Sequence, residues 1–184
     1  AKATIREKDQ VIIVEGQMDV ITAHQNGWTN VVASSGTALT PEQLKLISRY
    51  TKNVAFAFDA DGAGQIASDR GIKEAVALDF NVKVIIIPAG KDPDECIKNS
   101  PSEWANAVAA AKEIVDYFLD KVLFGVDLNN PTQYRHAVSD LIDKIIDFGG
   151  HNKTSQDFWI HKVSQRLNLS EKGLREDIDS RMAK

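Results

Sequence analysis

Apolar residues follow two different rhythms along this chain. Up to about residue 88, short solid runs alternate with stretches of helical spacing; the runs are Val11–Val14, Val31–Ala33, Val54–Phe58 and Val82–Ile87. Runs of aliphatic residues with no polar alternation are the mark of parallel strands buried on both faces. Between them, helical stretches run from Gly16 to about Asn26, from Pro41 to Tyr50 and from Ala63 to about Leu78. Gly27 is placed to cap the first, Thr40-Pro41 starts the second, and Leu44, Leu46 and Ile47 form its buried side. Strand–helix alternation of this kind predicts an α/β fold, a four-stranded, mainly parallel sheet with right-handed crossovers and helices on both faces; the order expected is 2-1-3-4, which sets the first strand beside the third so that Glu15 and Asp59 face one crevice.

From Pro101 onward the strand rhythm stops. Trp104, Val108, Ala111, Val115, Phe118 and Val122 predict one long amphipathic helix. Asn130-Pro131 begins another, with Tyr134, Val138, Leu141, Ile145 and Phe148 on one face and Gly149-Gly150 at its end. Phe158–Leu167 and Leu174–Met182 read as shorter helices, the last capped by Ser170. The expectation is an α/β domain over residues 1–100 followed by an all-helical subdomain over 101–184, with no repeat, low-complexity tract or linker.

What sets this α/β pattern apart is how its strands end. Val54-Ala55-Phe56-Ala57-Phe58 stops on Asp59-Ala60-Asp61-Gly62-Ala63-Gly64, the first run stops on Glu15, and the fourth leads into a loop with Asp92 and Asp94. Open α/β sheets place their sites at the carboxyl ends of the strands. A carboxylate at the end of a buried strand is costly unless a cation or a donor meets it. Acids delivered from three strand ends therefore point to a hard divalent cation, which prefers oxygen ligands. Asp19, four residues after Glu15, falls on the first turn of the following helix, where an acid is also favourable simply against the helix dipole. Asp59-Ala60-Asp61-Gly62 is the sharpest signal, favouring a functional site by itself over a solvated turn, whereas Asp92-Pro93-Asp94-Glu95 taken alone is a turn before a helix. The shared sheet edge is what gives the latter its meaning. Ser34-Ser35-Gly36-Thr37 at the second strand's outlet can cradle a phosphate with backbone amides, Gly62 and Gly64 permit close approach by one, and Lys91 can meet its charge. His24, His136, His151 and His161 show no metal-ligand spacing.

Charge narrows the picture. The chain carries 22 basic and 26 acidic residues, net −4, and residues 1–100 and 101–184 each hold 11 basic against 13 acidic groups. No bulk electrostatic footprint for a polynucleotide exists, which counts against a self-sufficient nucleic-acid binder. The single cysteine, Cys96, excludes an internal disulfide framework and a multi-cysteine zinc site, and a reducing cytosolic setting is the default expectation. No apolar run reaches the roughly 18 residues of a membrane span, and the first ten residues lack a signal-peptide core. The start of the chain almost directly at a strand is the look of a fragment cut at a domain boundary.

Four segments together carry a family resemblance: Val11-Ile12-Ile13-Val14-Glu15-Gly16-Gln17-Met18-Asp19, Ala33-Ser34-Ser35-Gly36-Thr37-Ala38-Leu39-Thr40, Phe58-Asp59-Ala60-Asp61-Gly62-Ala63-Gly64 and Gly90-Lys91-Asp92-Pro93-Asp94-Glu95. In order, spacing and strand context they resemble the Toprim domain of bacterial DnaG-type DNA primases over roughly residues 9–125. The helical remainder looks like the C-terminal part of the primase RNA polymerase core. Toprim folds also occur in topoisomerases, recombination mediators and ribosomal RNA maturases; Glu-Gly-x-Met-Asp, Ser-x-Gly-Thr and Asp-Pro-Asp favour primase. Gln17 departs from the aromatic more common there.

The resemblance implies a nucleotidyltransferase that makes short RNA primers on a single-stranded DNA template from ribonucleoside triphosphates, in the bacterial cytoplasm, using Mg²⁺ or Mn²⁺. It implies Glu15, Asp59 and Asp61 as catalytic and metal-binding residues, with Asp19, Asp92 and Asp94 completing the acidic pocket. Ser35, Gly36, Thr37, Gly62 and Lys91 are the expected phosphate contacts. Zinc, the basic template-gripping subdomain and the contact to the replicative helicase are expected in parts absent from this chain. Three rivals stand beside this reading. One is another Toprim protein, a nuclease or a binding module. A second is a haloacid-dehalogenase-like phosphatase using Asp59 as nucleophile, although only one strand follows that motif. A third is a helix-turn-helix reader over Phe158–Met182, although its second helix carries Glu171, Glu176, Asp177 and Asp179 beside Lys172, Arg175 and Arg181.

Overall fold

The computed structural model describes residues 1–34, 39–57, 62–88, 92–149 and 153–183, with backbone alone over 62–68. In chain order its elements are α1 (Lys2–Lys8), β1 (Val11–Val14), α2 (Gln17–Gln25), β2 (Val31–Ala33), α3 (Pro41–Ile47), β3 (Asn53–Phe56), α4 (Gly62–Ala77), β4 (Asn81–Val84), α5 (Pro93–Asn99), α6 (Pro101–Ala109), β5 (Lys112–Glu113), α7 (Ile114–Leu123), α8 (Pro131–Phe148), α9 (Lys153–Leu167) and α10 (Glu171–Met182). They fall into two compact units, Ala1–Glu113 and Ile114–Lys184.

The first unit is built on β1. Its four residues, all β-branched, are fully buried, and β2 and β3 pair with it in parallel on either side. β4 continues the parallel order beyond β3, so the four strands run in the expected order 2-1-3-4. Alternation sends Ile12 and Val14 to one face, where they join Ala23 of α2, Val31, Ala55, Cys96 and Ile97 of α5, and Trp104 of α6 in one apolar cluster. The other face takes α4, whose Gly71 lies close enough to β3 that a Cβ there would sit 3.7 Å from the Phe56 ring and 3.4 Å from Leu39.

Two features depart from the expected pattern. The sheet has a fifth strand: β5 pairs antiparallel with β4, setting Glu113 opposite Lys83 and Lys112 opposite Val84, and the Lys83 ammonium lies 3.3 Å from the Glu113 carboxylate. The single helix expected across 104–122 is consequently two, α6 and α7, with β5 between them. A two-residue strand made of a lysine and a glutamate has no periodicity to read, and only its partner defines it. The other departure is α1, ahead of β1. It ends on Asp9 in the left-handed conformation at φ 46°, an αL cap that aspartate tolerates. The Asp9 carboxylate then accepts from Thr51 Oγ1 at 2.8 Å and Asn53 Nδ2 at 2.9 Å, tying the amino edge of the sheet. Strand limits are also shorter than the apolar runs: β4 stops at Val84 although the run continues to Ile87, and Phe58 at the end of the third run lies outside the described residues.

The second unit is helical and begins at Ile114, so α6, inside the stretch 101–184 expected as a helical subdomain, belongs to the first unit. Phe118 of α7 packs on Phe148 of α8 and Trp159 of α9 with ring centroids 4.6 and 6.2 Å apart, and Leu174 and Ile178 of α10 are buried. Asn130 caps α8 through its side chain and Ser170 caps α10. The basic residues that a DNA-reading α10 would need are engaged at home. Arg175 bonds Asp157 at 2.5 Å, Arg181 bonds Asp143 and Ser139, and Lys172 lies 3.9 Å from Glu176. That pairing fits a packing role for this helix pair.

Gly27, just past α2, has φ +86° and open space where a Cβ would project. Gly27→Ala is expected to lower unfolding free energy by about 1 kcal/mol from backbone conformation alone, with Gly27→Asn costing less; urea titration of the three proteins checks the ranking.

Candidate active site at the carboxyl edge of the sheet

Strand register brings the predicted outlets to one edge. Ser34 N–H donates to the Val14 carbonyl at 2.9 Å, Ala57 N–H to Ile13 at 2.8 Å and Ile85 N–H to Phe56 at 2.8 Å. β1, β2, β3 and β4 thus end side by side. Glu15, half-buried, is the first residue past β1. Asp19 lies one helical turn into α2 and is only 6% exposed. Asp92 is the N-cap of α5, and its Oδ1 accepts from Glu95 N–H at 2.6 Å with Pro93 at the first helical position. Asp94 follows on the first turn of α5. Gly62 opens α4. Asp59, Asp61, Ser35, Gly36, Thr37 and Lys91 lie outside the described residues.

Two of these acids meet directly, by way of the backbone. Asp19 Oδ2 accepts the Gly16 N–H at 2.9 Å, and Asp19 Oδ1 accepts the Asp94 N–H at 3.0 Å. One buried carboxylate therefore satisfies amides from the first turns of two helices, which would otherwise lack intrahelical partners. Asp94 is itself held from two sides: Thr22 Oγ1 donates to its Oδ1, and Lys98 Nζ donates to its Oδ2 at 2.7 Å. Thr22 and Lys98 were not expected from the sequence. Lys98 stands four residues from Asp94, a readable helical spacing, but the Thr22–Asp94 contact joins residues 72 positions apart and leaves no local signal.

The electrostatics of the two carboxyls diverge. Burial pushes Asp19 up from its ordinary range; the Gly16 and Asp94 amides pull it back, and the negative charges of Asp92 and Asp94 add to the rise. The hydrogen bond from Lys98 holds Asp94 below its ordinary range, and the Thr22 hydroxyl adds to that. Among the described residues, no group of three or more His, Cys, Asp or Glu side chains could hold a metal ion. Asp19 and Asp94 already spend oxygens on protein donors.

The parallel part of the sheet, in order 2-1-3-4, delivers a glutamate and an Asp-Pro-Asp loop to one edge, and residues 12–97 match the model of the Toprim-like family. The chain is similar to the DNA primase of Clostridium acetobutylicum, with 38% identity over 177 residues, covering 96% of this chain and 29% of that protein. Its fold matches the zinc-binding and RNA polymerase domains of the Aquifex aeolicus primase, with a TM-score of 0.78 at 24% identity over 95% of this chain and 41% of that one. It also matches a DnaG primase catalytic domain bound to single-stranded DNA, with a TM-score of 0.72 at 23% identity, over 90% of this chain and 53% of that one.

The depressed Asp94 carboxyl fixes a pH signature. A carboxyl whose folded value lies below its unfolded value of about 3.9 contributes stability above that pH and loses it as pH falls through the folded value. Wild type is expected to exceed Asp94→Asn by about 1–2 kcal/mol near neutrality, with the difference shrinking below about pH 4. The raised Asp19 carboxyl has the opposite sign, and because the Asp94 charge adds to that rise, its contribution is smaller in the variant and cancels only in part. Urea unfolding at a series of pH values, without divalent cations, checks this; a gap that stays constant down to about pH 2 contradicts it.

Proposed function

We propose that this chain is part of the catalytic core of a DNA primase, a DNA-directed RNA polymerase that lays short RNA primers on single-stranded DNA from ribonucleoside triphosphates. The observation that carries the reading is sequence similarity to a DNA primase over nearly the whole chain, on a fold that brings Glu15, Asp19, Asp92 and Asp94 to one sheet edge. The relatives' bacterial setting and their role in replication support action in the cytoplasm at the replication fork. Among the described residues, no helix is long and apolar enough to cross a membrane.

In this reading Glu15, Asp59, Asp61 and Asp92 hold Mg²⁺ or Mn²⁺, with Asp19 and Asp94 close by. The all-oxygen character of the set suits a hard cation. A bound divalent cation supplies charge neutralisation for an in-line displacement at phosphorus. The chain's own residues do the rest. Glu15 orients or deprotonates the attacking 3′-hydroxyl. Backbone amides at Ser35, Gly36, Thr37 and Gly62, with the Lys91 ammonium, hold triphosphate oxygens. The template is a single strand, as in the DNA-bound relative, and the helicase contact belongs to other parts of the full-length protein. The first unit supplies the catalytic Toprim part and the second the helical end of the core.

Two measurements test this. Titration calorimetry with Mn²⁺ is expected to show binding by wild type and its loss in the Asp59→Asn/Asp61→Asn double variant; equal binding by both removes the site. Fluorescence anisotropy with a labelled single strand is expected to show weak, salt-sensitive binding. Nucleic-acid affinity scales with the phosphates neutralised, and acids outnumber bases in both halves of the chain. Submicromolar, salt-resistant binding would place the template groove within these 184 residues and overturn the view that grip lies elsewhere.

A further inference from the structure

The acidic edge is held in shape by two residues outside every motif. Glu15 adjoins Gly16, whose N–H is fixed by Asp19 Oδ2. Asp19 Oδ1 fixes the N–H of Asp94, two residues after Asp92. A continuous path thus runs from the β1 outlet to the N-cap of α5: Glu15, Gly16, Asp19, Asp94, Pro93, Asp92. The Asp94 side chain on this path is held as well, by Thr22 on α2 and Lys98 on α5.

We infer that Thr22 and Lys98 are positioning residues for the acidic centre, acting through Asp94 to fix the spacing between Glu15 and Asp92. Thr22 is 3% exposed and lies one turn after Asp19 on the same helix. A buried hydroxyl there has a clear use, because it turns the Asp94 carboxylate toward α2. Lys98, half-exposed, takes the other oxygen from within α5 and offsets one negative charge where Asp19, Asp92 and Asp94 repel one another. With both donors in place, Asp94 is committed to the helix pair, and Asp92, whose Oδ1 caps α5, keeps its other oxygen for the site. Neither donor touches a reacting group, so their influence passes through geometry.

The inference rests on the cation-binding reading above, and the test separates the two. Mn²⁺ binding is measured by calorimetry, with electron paramagnetic resonance of the bound ion, on wild type, Thr22→Val, Thr22→Ser and Lys98→Met. Valine keeps the shape of threonine and removes the hydroxyl; serine restores it; Lys98→Met lies at a half-exposed position that leaves the fold intact. Thr22→Val and Lys98→Met are each expected to weaken Mn²⁺ binding about tenfold, the loss of one charge-assisted hydrogen bond, and to broaden the spectrum of the bound ion. Thr22→Ser is expected to stay within about twofold of wild type, less than half the free-energy change of a tenfold loss. Mn²⁺ held by wild type and equally by Thr22→Val and Lys98→Met overturns the positioning role alone. Wild type that takes up no Mn²⁺ overturns the cation-binding reading and this inference with it.

Discussion

Four consecutive β-branched residues, Val11 to Val14, are withdrawn from water, and a strand in that condition needs neighbours on both edges and cover on both faces. Each such side chain contributes on the order of 1.5–3 kcal/mol when fully buried, so the strand is a strong organiser and also a demanding one. β2 and β3 meet its backbone, α2 with α5 and α6 covers one face, and α4 lies over the other side of the sheet. Once the strand is enclosed, its carboxyl end is the first place where polar chemistry can begin. Glu15 stands at that boundary.

The same enclosure explains why the acids need so much local support. α2 and α5 both start at this edge, and both bring unsatisfied amides to it. Asp19 answers one amide from each. A buried carboxylate is unfavourable by itself, and its raised affinity for a proton reflects that. It is retained because it does for two helix starts what two separate caps would otherwise do, and it joins them. Asp92 caps α5 from the other side. Several of the residues that make the edge acidic therefore also hold the scaffold together, so a charge-removing substitution there tests geometry and chemistry at once.

Much of this was legible in the sequence because it rests on local pattern. The four parallel strands, α8 with its Asn130-Pro131 start and α10 with its Ser170 cap all follow from short-range signals. So does the arrival of Glu15, Asp19, Asp92 and Asp94 at one edge. The strand order, by contrast, was expected from the need to bring Glu15 and Asp59 to one crevice. β5 and the break between α6 and α7 were not legible, since Lys112 and Glu113 become a strand only by pairing with Val84 and Lys83. The clamp on Asp94 was half legible: the Lys98 contact has helical spacing, whereas the Thr22 contact depends on how α2 and α5 pack. What sequence could not supply was the division of labour among the acids, because a carboxylate bound to amides and one left for a ligand are the same letter.

β5 also settles how the sheet meets its surroundings. A parallel sheet that stopped at β4 would present that strand's open hydrogen-bonding edge to other chains. Instead the last position is a reversed, two-residue strand whose lysine and glutamate are charged, and the opposite border is the three-residue β2. One border is charged and the other only three residues long, so neither readily templates a further strand. The molecule can crowd several carboxylates and a dry centre into one small sheet without inviting its copies to zip together edge to edge.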